Sequence, residues 1–228
     1  MTRPLSQQAY AKIIEMVFSG VLPAGSALHE ARLSDSLDMS RTPVREAIKR
    51  MEYEGLLRRE GRFLRVRPPT PAEIEEIFFL REAMEAQTAR AAVTLPNTLF
   101  DEMTNRLRAF LAADGASTDG TGGSGDPAGF TEDEWRIDDA FHRMLARSMN
   151  NPILLRTLDR LRLRTYMFDR TRVPERFLAG THEHLAILDA LRAGDADTAE
   201  RLTVAHLRNA RDAVLSCLER YALGEVPR

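Results

Sequence analysis

Ser40-Arg41-Thr42-Pro43-Val44-Arg45-Glu46-Ala47-Ile48 opens a stretch with two chemically distinct faces. Its periodicity predicts a helix from Arg41 to Glu54, with Val44, Ile48 and Met51 on one apolar stripe and Leu56 just beyond. Ser40 or Thr42 can cap it, and Pro43 fits the first turn, where a missing N–H is tolerated. Arg41 and Arg45 are four residues apart and share the face opposite that stripe. A helix with arginines and a threonine at its N-terminal end suits base edges and phosphates.

The flanks complete a plan around it. Upstream, Tyr10, Ile13, Ile14, Val17 and Phe18 recur at helical spacing, so Gln7–Ser19 reads as a first helix ended by Gly20. Pro23 and Gly25 mark a turn. Leu28, Leu33 and Leu37 outline a short second helix, broken at Asp38-Met39-Ser40. Downstream, Gly55 stops the third helix. Leu56–Arg59 and Phe63–Arg67 then read as two strands around Gly61, with Arg59, Arg62 and Arg65 on their arms. Three helices and a small hairpin make a winged helix-turn-helix. Pro68-Pro69-Thr70-Pro71 is a stiff joint. It divides residues 1–70, the DNA-binding part, from residues 71–228.

The motif from Ser40 to Ile48, followed by Glu54-Gly55-Leu56-Leu57, closely resembles the GntR family of transcriptional regulators. Ile14…Gly20-x-Leu22-x-x-Gly25-x-x-Leu28 matches that family's first helix and turn. The resemblance spans about residues 5–67. It implies that Arg41, Thr42 and Arg45 contact operator DNA, with Gly61 at the wing tip and Arg62 beside it. Many members carry a longer basic patch in the second helix. Here Glu30-Ala31-Arg32 stands instead, leaving Arg32 as the phosphate contact of that helix.

Charge distribution agrees with this division. Residues 1–70 hold 12 Lys/Arg against 8 Asp/Glu, and the remainder holds 20 against 26. A basic module on an acidic remainder fits nucleic-acid binding by the first part alone. No apolar run approaches the ~20 residues that cross a bilayer, so no membrane partner is expected. The first eight residues lack the apolar core of a secretory signal. Cys217 is the only cysteine, which excludes an intrachain disulfide. These features predict a cytoplasmic protein.

Everything after the joint reads as helix: 72–93, 97–113, 131–148, 152–170, 174–192 and 195–223. The fold class is therefore mainly α, a winged helix-turn-helix followed by an all-α bundle. The Gly- and Ser-rich stretch from Asp114 to Gly129 reads as a flexible loop between two of these helices. Asp138 and His142 are four apart on one helix face. His184 shares an inward stripe with Leu188 and Leu191, and His206 shares one with Leu202 and Ala210. One carboxylate and three imidazoles could converge from three helices and suit a divalent transition metal. Zinc is the first choice, with nickel, iron or manganese as alternatives. A histidine on an apolar face is more often a core residue with satisfied hydrogen bonds, and that alternative stands for each taken singly. His182 lies about 200° around the helix from His184 and is left out. Arg81 falls on the stripe of Ile74, Ile77, Phe78 and Met84, where a buried charge needs a partner. That partner is either a bound carboxylate or an internal acid such as Glu82 or Glu85. The faces of Arg162, Arg164 and Tyr166 stay unassigned, although each is a candidate for the cavity.

Asp138-x-x-Phe141-His142, then Glu183-His184-x-x-Ile187-x-x-Ala190-Leu191-x-x-Gly194-Asp195, then Ala199…His206, resembles the FCD domain, the helical effector domain of one GntR subfamily. Leu80-Arg81-Glu82-Ala83-Met84-Glu85 is similar to its opening helix and inclines Arg81 towards the effector. The resemblance implies a homodimeric regulator with a six-helix bundle around a metal and a small carboxylate or sugar acid, acting as a repressor on a palindromic operator. A metal-dependent enzyme is the competing reading. It lacks a companion base or nucleophile, and its Gly-rich stretch is not set between a strand and a helix.

Overall fold

A computed structural model of the chain describes residues 4–19, 21–116, 133–169 and 174–223. The winged part runs α1 (Leu5–Phe18), β1 (Ala27–Leu28), α2 (Glu30–Leu37), α3 (Arg41–Tyr53), β2 (Leu57–Glu60) and β3 (Phe63–Val66). Its three strands form an antiparallel sheet in the order β1-β3-β2. Leu28 therefore belongs to a strand and not to the second helix. Its helix-like spacing from Leu33 reflects burial in a shared core, because both side chains enter the same apolar cluster. That cluster joins Ile13 and Val17 of α1, Leu33 and Leu37 of α2, and Val44, Ile48 and Met51 of α3 with Leu56, Leu57 and Val66.

Local chemistry fixes the joints. Asp38 adopts a left-handed conformation (φ 50°) between α2 and α3, a place where a short polar residue is tolerated. Ser40 precedes α3 in extended conformation but makes no side-chain capping bond. Gly55, at φ 75°, ends α3. Its N–H donates to the Glu52 carbonyl at 3.0 Å, and the Leu56 N–H donates to the Met51 carbonyl at 3.0 Å. This is the hydrogen-bond pattern by which glycine closes a helix, and Leu56 folds back onto Met51 as that closure favours. The expected stop at Gly20 lies outside the described residues.

The helical part comprises α4 (Pro71–Ala92), α5 (Asn97–Ala116), α6 (Asp133–Arg147), α7 (Pro152–Asp169), α8 (Pro174–Arg192) and α9 (Ala196–Ala222). Asp114, Gly115 and Ala116 continue α5 rather than begin a loop. One further turn evidently tolerates the glycine, and the rest of the Gly- and Ser-rich stretch lies outside the described residues. Thr70 caps α4 in a reciprocal box with Glu73, with Pro71 at its first position. α4 packs along α9 through Ile74, Phe78, Leu207 and Val214. A second apolar cluster joins Phe100, Leu107, Phe141, Leu145, Leu188 and Leu191 from α5, α6 and α8. These clusters aim the polar faces of α4, α6, α8 and α9 at one interior point. Among the described residues, no helix is long and apolar enough to cross a membrane.

Candidate functional site

The residues expected to meet DNA lie on α3, α2 and the wing. Arg41, Thr42 and Arg45 are exposed on the outer face of α3, and Arg32 is exposed on α2. Arg45 is not idle there. Its Nε donates to both carboxylate oxygens of Glu30 at 3.0 Å, and its Nη2 lies 2.9 Å from Oε2. That hydrogen bond lowers the Glu30 pKa from its ordinary value. Gly61 turns the wing at φ 59°, a conformation that favours glycine. Arg62 is exposed beside it, its guanidinium 4.9 Å from the Phe63 ring centre. Arg59 pairs with Glu52 at 2.9 Å, while Arg65 donates to the Gly25 carbonyl at 2.8 Å. These two arginines brace the wing. Arg62 instead lies over a neighbouring ring.

The second site is interior. Asp138 and His142 from α6, His184 from α8 and His206 from α9 bring one donor atom each to within 4.8 Å of one another. His184 Nε2 lies 3.2 Å from His206 Nε2 and 3.6 Å from Asp138 Oδ1, and His142 Nε2 lies 3.8 Å from that same oxygen. With metal–ligand bonds of about 2.1 Å, neighbouring donors sit ~3.0 Å apart on an octahedral edge and ~3.4 Å apart on a tetrahedral one. The three separations lie on either side of the tetrahedral value and above the octahedral one, and the whole set spans up to 4.8 Å, so an ion would draw the four donors inward. All three imidazoles are buried.

Protonation suits the same role. Burial, reinforced by the neighbouring imidazoles, holds His184 well below its ordinary pKa. Burial also lowers His206, although its bond to Glu183 opposes the shift. Neutral imidazoles are what a metal requires. The outer nitrogens of two of them, His206 and His142, face acids. His206 Nδ1 lies 2.7 Å from Glu183 Oε2, and His142 Nδ1 lies 2.6 Å from Glu85 Oε2, a contact whose angle departs from an aligned hydrogen bond. Carboxylates behind ligating histidines fix ring orientation and raise basicity. Burial works against ionised Glu85, but Arg81 and His142 outweigh it and hold its pKa well below the usual range. Burial likewise opposes Glu183, yet bonds from His206, Arg176 and Asn209 bring its pKa down to about 2. Phe141 stacks on His184 with ring centres 3.9 Å apart and walls that side of the site.

A small cavity of about 40 Å³ adjoins the four donors. Arg81, Thr165, Tyr166, Arg176 and Thr181 contribute to its wall. Arg81 is 4% exposed and its Nε donates to Glu85 at 2.7 Å. The internal ion pair is thus present, at the edge of the cavity. Arg162 is fully buried, but on Asp159 at 2.8 Å and Asp139 at 3.2 Å, and it is not part of this wall. Arg164 turns to Glu73 at 2.8 Å. The hydroxyl of Tyr166 donates to Asp138 Oδ2. His182 is exposed, as its angular position requires.

Sequence reasoning missed Glu85 and Glu183 as partners of the histidines, and Arg176 altogether. Glu85 carried a signal, because it stands one turn beyond Arg81 on the same inward stripe. Glu183 did not: adjacent to His184 in sequence, it reaches His206 on another helix.

Three comparisons bear on these sites. The model of the family "Bacterial regulatory proteins, gntR family" matches residues 5–63, and that of the FCD domain matches residues 76–209. The HTH-type transcriptional repressor RspR of Escherichia coli K12 is 27% identical over 221 residues, covering 93% of this chain and 90% of its own. Among solved structures, E. coli McbR/YncC superposes with a TM-score of 0.74 at 20% identity, covering 96% of this chain and all of that one. The metal-free FCD domain of TM0439 superposes with a TM-score of 0.51 at 16% identity, covering 67% of this chain and 99% of that one. At these identities the structural matches establish the fold.

Proposed function

Because the chain belongs to the GntR family and its helical part is an FCD domain, it is a DNA-binding transcriptional regulator and not an enzyme, and we propose that a divalent metal and a small acid in the helical part set its affinity for an operator. The observation that carries this reading is the convergence of Asp138, His142, His184 and His206, donor atoms within 4.8 Å of one another. These four would hold the ion, with zinc the first choice for a set of three imidazoles and one carboxylate. When bound, the ion supplies a positive centre with open positions for the oxygens of a small carboxylate or sugar acid. Arg81 holds its Nε on Glu85 and presents its remaining guanidinium edge to that acid. Glu85 and Glu183 orient the imidazoles, and Phe141 excludes water from behind His184.

At the other end, residues 1–70 bind DNA and residues 71–228 sense and dimerise, in the cytoplasm. Arg41, Thr42 and Arg45 read the major groove, Arg32 holds a phosphate, and Gly61 with Arg62 carries the wing to the flanking backbone. Two copies present two α3 helices to a palindrome with half-sites about one helical turn apart. The protein acts as a repressor, released or tightened by as much as the acid's affinity differs between the bound and free placements of the winged parts. The test is operator binding by the purified protein with zinc and a panel of small acids. A shift in affinity that disappears in His184→Ala supports the reading, and indifference to every metal and acid contradicts it.

A further inference from the structure

α7 touches both ends of the molecule. Thr165 and Tyr166 line the cavity. Yet the Tyr166 ring, 7% exposed, belongs to the apolar cluster of the winged part, with Ile13, Val17, Met51 and Leu56. Leu163, less than one turn earlier, packs against that cluster too. Between them Arg164 reaches Glu73, the residue that also accepts from Thr70 and from Arg67 at the foot of β3. The Arg164 guanidinium also passes 4.0 Å from where a Cβ on Gly55 would stand. The last turns of α7 therefore pack on the winged part through Tyr166 and Leu163, while Arg164 pairs with Glu73 of α4, whose carboxylate also takes Arg67 from the foot of β3.

The Tyr166 hydroxyl then reaches back to the metal set. It donates to Asp138 Oδ2, whereas Oδ1 of the same carboxylate faces His184 Nε2 at 3.6 Å and His142 Nε2 at 3.8 Å. One oxygen is turned to the imidazoles and the other to a phenol whose ring is embedded in the core of the winged part. A tyrosine side chain has only two soft torsions. A shift of Asp138 that keeps the hydroxyl bond must therefore move the ring or α7 itself. Close-packed interiors pass on such displacements.

We propose that Tyr166 is a coupling residue: it positions Asp138 to offer a single oxygen to the ion, and it carries occupancy of the cluster into the packing of the winged part. The claim rests on the cluster being a metal site. It goes beyond that reading by naming the side chain through which the two ends share a free energy.

Tyr166→Phe keeps the ring and removes the hydroxyl. The full-length protein and this variant are titrated with zinc alone by calorimetry. Amide hydrogen exchange of segments 9–17 and 47–57 is then measured without zinc and at saturation. In the unaltered protein, zinc changes exchange in those segments by about threefold or more. In the variant, zinc binds about 10- to 100-fold more weakly, as loss of an outer partner predicts. At saturation the winged segments then respond by less than about 1.5-fold. An undiminished response in the saturated variant overturns the proposal. Zinc heat in the unaltered protein with no winged-segment response overturns the coupling and leaves the metal reading standing. Absence of zinc heat overturns both, and the calorimetry tells the two failures apart.

Discussion

The recognition face and the buried cluster are both assembled from opposite charges, but they stand in different solvents. On α3 and α2, the side chains of Arg45 and Glu30 are 54% and 37% exposed. In the cluster, those of Arg81 and Glu85 are 5% and 2% exposed. Exposed ion pairs contribute little, since water screens them and long side chains must be ordered to form them. Releasing Arg45 from Glu30, as the proposed DNA contact requires, therefore costs little. A buried pair behaves otherwise, because removing one member strands the other away from water. The first region is a solvated surface whose ion pair is weakly held. The second is a scaffold whose partners must all stay in place.

That contrast can be broken in four places. Glu85→Ala should have the largest effect, because it strands both Arg81 and the outer nitrogen of His142. Loss of a buried partner costs about 3–5 kcal/mol. For a chain of this size that is roughly a 6–20 °C fall in Tm, read by calorimetry. A fall within about 2 °C would mean that the pair is hydrated in solution. His184→Ala comes next. Removing a ligand should weaken zinc binding by at least about a hundredfold, more than loss of an outer partner does. Operator binding without metal should change little.

Arg45→Ala should weaken binding to a selected operator by about 10- to 100-fold and relax preference at one position of each half-site. Zinc affinity and Tm should hold. Unchanged operator affinity would remove α3 from the interface. The smallest effect belongs to Glu73. Burial opposes its ionisation, but the Thr70 backbone and Arg67 outweigh that and bring its pKa down to about 2 from the usual 4.5. A carboxylate depressed in the folded state contributes stability above its unfolded pKa and loses it as pH falls through the folded one. Glu73→Gln should therefore lower Tm at neutral pH, and the gap from the unaltered protein should close as pH falls below 4.5 towards 2. A gap independent of pH would show that shape, not charge, is what Glu73 supplies.

The two regions were also unequally legible in the sequence. The faces of α3 could be read because its periodicity separates Val44, Ile48 and Met51 from Arg41 and Arg45 within one element. The same rule placed Asp138, His142, His184 and His206 on inward stripes, and the structure brings those four together. β1 escaped because two residues carry no period, and Leu28 was absorbed into the spacing of α2. Arg162, Arg164 and Tyr166 escaped because α7 is apolar or charged nearly all round: Arg162 pairs inward, Arg164 reaches the joint, and Tyr166 spans two cores. Glu183 and Arg176 act across helices on His206, and spacing along one chain segment carries no trace of that.

X-ray absorption at the zinc edge of the loaded protein tests the central claim most directly. Three imidazole nitrogens and a carboxylate oxygen are expected at about 2.0–2.1 Å, with the remaining positions filled by water or a small acid. A shell with fewer than two imidazoles, or one containing sulfur from Cys217, would contradict it.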